Sequence, residues 1–294
     1  MAQDKQNPAP EFGFTEVRPN MKLRSMVVRH PDPKGVVLFL HGFPETSYVW
    51  KDIAQMLGND YEIHAFDWPG YGLSTRPSAD QFSYAPRDYA VVLNDFIRKS
   101  GIDSSKLVIY ATDIGALPAL LLAMDDPKVA RSIVVGDFAP FNRPQYMWAA
   151  LQSLKSLPGA ETTRAHMNKT RDEILANTYR RALAEDVQFD ISRELQQDLS
   201  KGWEQGGMTA VDAFFHYYLQ FDRDEEYLES HLNKLETPVK VIWGEKDIYI
   251  DKGMGAEFAQ KAGVELTVLP GIGHFPHLQD PAGTVAEVRA QFNN

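Results

Sequence analysis

Three side chains in this chain are of the right kinds to do covalent chemistry together. Asp113 stands in YATDIGALPA, residues 110–119, with the small residues Ala111 and Gly115 two positions to either side. An apolar run, KLVIY, precedes the turn and ALLLAM follows it, the outline of a strand, a sharp turn and a buried helix. Asp247 closes WGEKD, and His274 lies in GIGHFPHLQDP. An aspartate is already ionised near neutral pH and needs no base to act as a nucleophile. Attack on a carbonyl would give a reactive anhydride, whereas attack on saturated carbon bearing a leaving group gives a stable alkyl ester. A histidine can then activate water to hydrolyse that ester, and a second carboxylate can hold its tautomer.

Each residue also has a plainer reading. Aspartate is a favoured helix cap, and Asp113 alone would fit that role. His277 follows His274 by three residues, but no further ligand cluster completes a metal site, so it reads as a loop or surface histidine. Asp137, in VVGDFAP, ends a strand of its own and competes with Asp247 for the place beside the histidine. Capping or loop bonding is its simpler use.

These residues need a scaffold, and the hydrophobic pattern predicts one. From GVVLFLHG onward the strands read as near-continuous apolar runs alternating with helical periodicities, which suits an α/β fold with a mostly parallel sheet covered on both faces. In such sheets ligands bind outside the carboxyl ends of the strands. HGFPE, DWPGYGLS, Asp113, Asp247 and His274 all fall at such ends, and the order carboxylate, carboxylate, histidine is that of nucleophile, acid and base. Between Asp137 and Pro238 only helical periodicities occur, with no convincing strand, which predicts a helical lid. The expected division is a core over 14–137, a helical cap over 138–236 and the rest of the core over 237–294. The first dozen residues read as loosely ordered.

Composition narrows the partners. The 294 residues carry a net charge of −10 and no basic block, which argues against a nucleic-acid surface. There is no cysteine, so disulfides, thiolate metal sites and a cysteine nucleophile are excluded. Neither a signal peptide nor an apolar stretch of membrane-spanning length is visible, and a cytoplasmic monomer or homodimer without membrane contact is expected.

With these motifs in place, the sequence resembles the α/β-hydrolase superfamily, and within it the aspartate-nucleophile branch of epoxide hydrolases and haloalkane dehalogenases. The resemblance runs from about residue 14 to the last helix and is weakest in the insertion. It implies a cofactor-free, metal-free hydrolase acting on a small apolar electrophile, with Asp113 as nucleophile and His274 as base. The GEKD pattern resembles the epoxide-hydrolase acid motif and favours Asp247 over Asp137. By the same likeness the N–H groups of Phe43 and Ile114 form the oxyanion hole. FFHYYLQF is similar to a lid-tyrosine segment, which places Tyr218 as donor to an opening epoxide, with Tyr217 beside it. Leu219 departs from the usual arginine, and no first donor stands near LQSLKS; Tyr146 or His216 could substitute. A dehalogenase commonly has tryptophan after the nucleophile, where this chain has Ile114, leaving Trp148 and Trp203 as lid donors. The implied activity is epoxide opening to a vicinal diol, with dehalogenation through the same ester second and a non-catalytic ligand-binding protein third.

Overall fold

The computed structural model describes residues 8–293. The apolar runs become strands. β1 (Glu11–Arg18), β2 (Met21–Val28), β3 (Val36–Leu40), β4 (Glu62–Phe66), β5 (Leu107–Thr112) and β6 (Ser132–Gly136) come first. β7 (Glu204–Gln205) and β8 (Met208–Thr209) form a small hairpin of their own, and β9 (Val239–Gly244) and β10 (Leu266–Leu269) complete the main sheet. Its order is β1-β2-β4-β3-β5-β6-β9-β10, antiparallel at the β1-β2 and β2-β4 pairs and parallel beyond. The central strands β3, β5 and β6 are buried along their whole length, as strands covered on both faces must be.

Helices cover this sheet. α1 (Lys51–Leu57) packs on the last helix, and α2 (Pro86–Lys99) packs on α3 (Ala116–Asp125). α3 is apolar all round and buried from Ala116 to Met124, the mark of a helix with no solvent face. Its Pro118 lies in the first turn, where a missing N–H costs nothing.

Between β6 and β9 the chain adds no strand to the main sheet. It forms α4 (Ala149–Ser153), α5 (Gly159–Lys169), α6 (Arg171–Asn177), α7 (Arg193–Gly202), α8 (Ala210–Leu219) and α9 (Phe221–Ser230). Thr209 and Asp212 start α8 with a reciprocal capping box. The chain then closes with α10 (Lys252–Ala262), α11 (Pro276–Gln279) and α12 (Pro281–Ala290), which is the partner of α1.

Two expectations need correction. The β7-β8 hairpin interrupts the insertion, turned by Gly206 and Gly207 at φ 61° and 80°, a tight turn that two glycines permit and most residues do not. At the other end, β1 begins at Glu11, inside the stretch read as loose, because its pairing with β2 holds it. Residues 1–7 lie outside the described residues.

Candidate active site

The turn after β5 holds Asp113 at φ 50°, a left-handed conformation that costs a non-glycine residue energy and persists only where its surroundings enforce it. They do so here by close approach. A Cβ on Gly42 would lie 2.6 Å from that of Asp113, and one on Gly115 would lie 3.0 Å from that of Leu40. Gly42 and Gly115 are therefore spacers that let the turn approach the end of β3 and the loop after it. Across that gap the Phe43 N–H donates to Asp113 Oδ1 at 2.6 Å. Ile114, next in the turn, uses its carbonyl to accept the Tyr217 hydroxyl.

The other carboxylate oxygen, Oδ2, faces His274 Nε2 at 3.4 Å. On the far side of the ring, Nδ1 lies 2.7 Å from Asp247 Oδ2. Asp247 is fully buried, and its Oδ1 accepts the N–H groups of Tyr249 and Ile250 at 2.8 and 3.1 Å. One histidine thus spans two carboxylates. Burial opposes its charged form, but Asp247 and Asp113 together outweigh burial and raise His274 well above the ordinary histidine range.

Asp137 joins this group from the end of β6. It is buried, takes φ 51°, and accepts the Gly244 N–H on Oδ1 at 2.8 Å. Burial first, then the charge of Asp247, push its carboxyl well above the usual range. It does not occupy the position beside His274 Nδ1, which Asp247 takes.

His277 is not the surface residue its loop suggests. It is 1% exposed, packs tilted on the Trp50 ring at 4.3 Å between centroids, and places Nε2 2.7 Å from Glu45 Oε1. The second oxygen of Glu45 accepts the Gly42 N–H at 2.9 Å. Burial disfavours the Glu45 charge, yet His277 and this N–H hold its pKa below the usual value. The bridge therefore fastens the loop carrying Phe43 to the loop carrying His274. Nothing in the sequence links residues 232 positions apart.

A cavity of about 290 Å³ opens onto Asp113 and His274. Phe43 and Phe275 line it beside them, and Trp148, Leu151, Met167, Ile174 and Phe214 enclose it from the insertion, with the exposed His166 and Glu173 among its polar wall residues. Of the expected lid donors only Trp148 is in this lining. Tyr218 is outside the lining and packs on Phe214 and Phe221, at 4.7 and 4.8 Å between rings, with Asp113 as the main charge acting on its phenol. Tyr217 has committed its hydroxyl to Ile114. His216 stacks on Tyr84, and Tyr146 lies against Gly253. Trp203 is buried near Phe43, also outside the lining.

The profile of the alpha/beta hydrolase family matches residues 37–288. A fluoroacetate dehalogenase from a Burkholderia species is 32% identical over 106 residues, 35% of this chain and 34% of that protein. The match thus spans about a third of that relative's length. Epoxide hydrolase 3 of Mus musculus is 25% identical over 262 residues, 82% of this chain and 65% of that protein. Among solved structures, the haloalkane dehalogenase DbeA from Bradyrhizobium elkani USDA94 superposes with a TM-score of 0.71 at 19% identity, covering 96% of this chain and 99% of that one. That likeness is one of fold.

Proposed function

The chain belongs to the alpha/beta hydrolase family, and we propose that within it the protein opens epoxides to vicinal diols through a covalent ester on Asp113. The observation that carries this reading is the two-sided setting of that carboxylate. Oδ1 is already engaged by the Phe43 N–H, while Oδ2 faces His274 and the cavity. Oδ2 attacks a ring carbon, the ester forms and the C–O bond of the epoxide breaks. The freed oxygen takes one proton, and the resting site holds one on His274, favoured there by its two carboxylates.

Esterification removes the charge of Asp113, so one of the two supports of the imidazolium disappears and the ring becomes a base. His274, held by Asp247, then draws a proton from water as the water attacks the ester carbon. The oxyanion builds on Oδ1, where the Phe43 N–H waits, with the Ile114 N–H as the proposed second donor. Collapse releases the diol and returns carboxylate and imidazolium to their starting states, so the cycle consumes only water.

Dehalogenation is the second reading, and the position of Trp148 favours it. Trp148 is in the cavity lining, and its indole carries an N–H of the kind a departing halide needs, a donor with no proton to give. Styrene-type epoxides and bromoalkanes separate the two. Diol formation is expected; bromide release without diol transfers the assignment to the second reading. The His274→Gln variant is expected to accumulate an ester adduct visible by intact mass, and Asp113→Asn to form none. No adduct with a substrate that turns over rules out covalent catalysis at Asp113.

A further inference from the structure

We propose that Asp137 is a carboxylic acid that keeps its proton and donates it in a hydrogen bond to Asp247, as a positioning residue for the acid–histidine pair. The proposal rests on Asp113, Asp247 and His274 being nucleophile, acid and base. Its own foundation is the placement of Asp137. The residue ends β6 at φ 51°, and its Oδ1 is pinned by the Gly244 N–H of the neighbouring β9. Oδ2 is buried with no donor. An ionised carboxylate with a bare oxygen in the interior is costly, whereas a protonated one needs only an acceptor. Asp247 is the acceptor at hand: one side-chain N or O atom from each of Asp137, Asp247 and His274 lies within 4.8 Å of the other two.

Charge points the same way. With Asp113 and Asp247 ionised and His274 protonated, the site carries one net negative charge; ionising Asp137 would double it in a buried place. The groups facing Asp137 are Asp247, His274 and, from β5, the buried phenol of Tyr110, which adds no positive charge. Burial and the Asp247 carboxylate both raise Asp137 well above the ordinary range, in line with this geometry.

The consequence is a graded acid. Asp247 would accept two backbone N–H groups, the His274 N–H and the Asp137 O–H, which fixes its carboxylate plane and spreads its charge. It then orients the ring without drawing the proton away from it.

Difference infrared spectra of the wild type against Asp137→Asn at neutral pH test the proton directly. A protonated-carboxyl carbonyl band that the substitution removes is expected; a loss of carboxylate bands alone overturns the proposal. An amide can also donate to Asp247, so in Asp137→Asn the NMR titration of His274 is expected to stay within about half a pH unit of wild type. A fall of more than about one unit would mean that a negative charge had been removed, and overturns it. Ester hydrolysis is expected to remain within about threefold in Asp137→Asn and to slow roughly tenfold in Asp137→Ala. Equal rates in both variants reject the positioning role. A stoichiometric metal found by elemental analysis, held by the same three side chains, also overturns it. The infrared and NMR measurements need no substrate, so they decide the question even if the assigned reaction is wrong or Asp137→Ala fails to fold.

Discussion

At the scale of single residues, His274 is set by what stands on either side of it. Its raised pKa has Asp113 as one support, so Asp113→Asn should lower the imidazole pKa measured by NMR. An unchanged titration would mean that the two side chains do not share charge as the 3.4 Å separation implies. Tyr218 offers a sharper separation of substrates. If its hydroxyl reaches the departing oxygen, Tyr218→Phe slows ester formation from epoxides by roughly 10- to 100-fold and leaves bromoalkanes unaffected. Equal effects on both would reduce Tyr218 to packing against Phe214. That Asp113, Asp247 and His274 gather at one edge of the sheet was legible in the sequence because polar side chains at the ends of apolar runs have few structural reasons to be there. Which lid side chains line the cavity was not. Phe214 and Tyr218 lie four apart on one stripe of α8, and spacing alone does not tell which of the two lines the cavity.

At the scale of elements, the loop that carries Phe43 and the loop that carries His274 are joined by Glu45 and His277. Removing one partner of a buried pair strands the other, so Glu45→Ala should cost about 3 kcal/mol in urea unfolding. It should also slow ester hydrolysis more than ester formation, because the Phe43 N–H loses its support. Unchanged stability would show the bridge to be idle. In the insertion, Glu225 of α9 pairs with Lys155 at 2.8 Å, yet burial raises it to about 8 from an ordinary 4.5. The folded state therefore holds a proton that the unfolded chain gives up. That contribution is complete below pH 4.5 and is lost as pH rises through 8. Glu225→Gln should flatten this fall and stabilise the protein relative to wild type at pH 9 by on the order of 2 kcal/mol, read from thermal unfolding at several pH values. A parallel pH dependence in the two proteins would place the titrating group elsewhere. The β7-β8 hairpin carried its signal openly in Gly206-Gly207, but two-residue strands leave no hydrophobic pattern to go with it.

At the scale of the whole molecule, the sheet was readable because parallel strands buried on both faces leave long apolar runs. β3, β5 and β6 are such runs. The first strand was harder to read, since β1 is mostly exposed and owes its place to pairing with β2 rather than to burial. Among the described residues no helix is long and apolar enough to cross a membrane. The contact between Glu45 and His277 was beyond any local reading, because only the closed fold brings those two positions together.

The long helical excursion leaves the sheet just after Asp137 and returns before Asp247, so the clustered Asp113, Asp137, Asp247 and His274 all lie outside it. On the proposed reading, bond-making falls to one part of the polypeptide and most of the choice of guest to another. Mutational drift in the excursion can recast what is admitted while the machinery beneath stays intact.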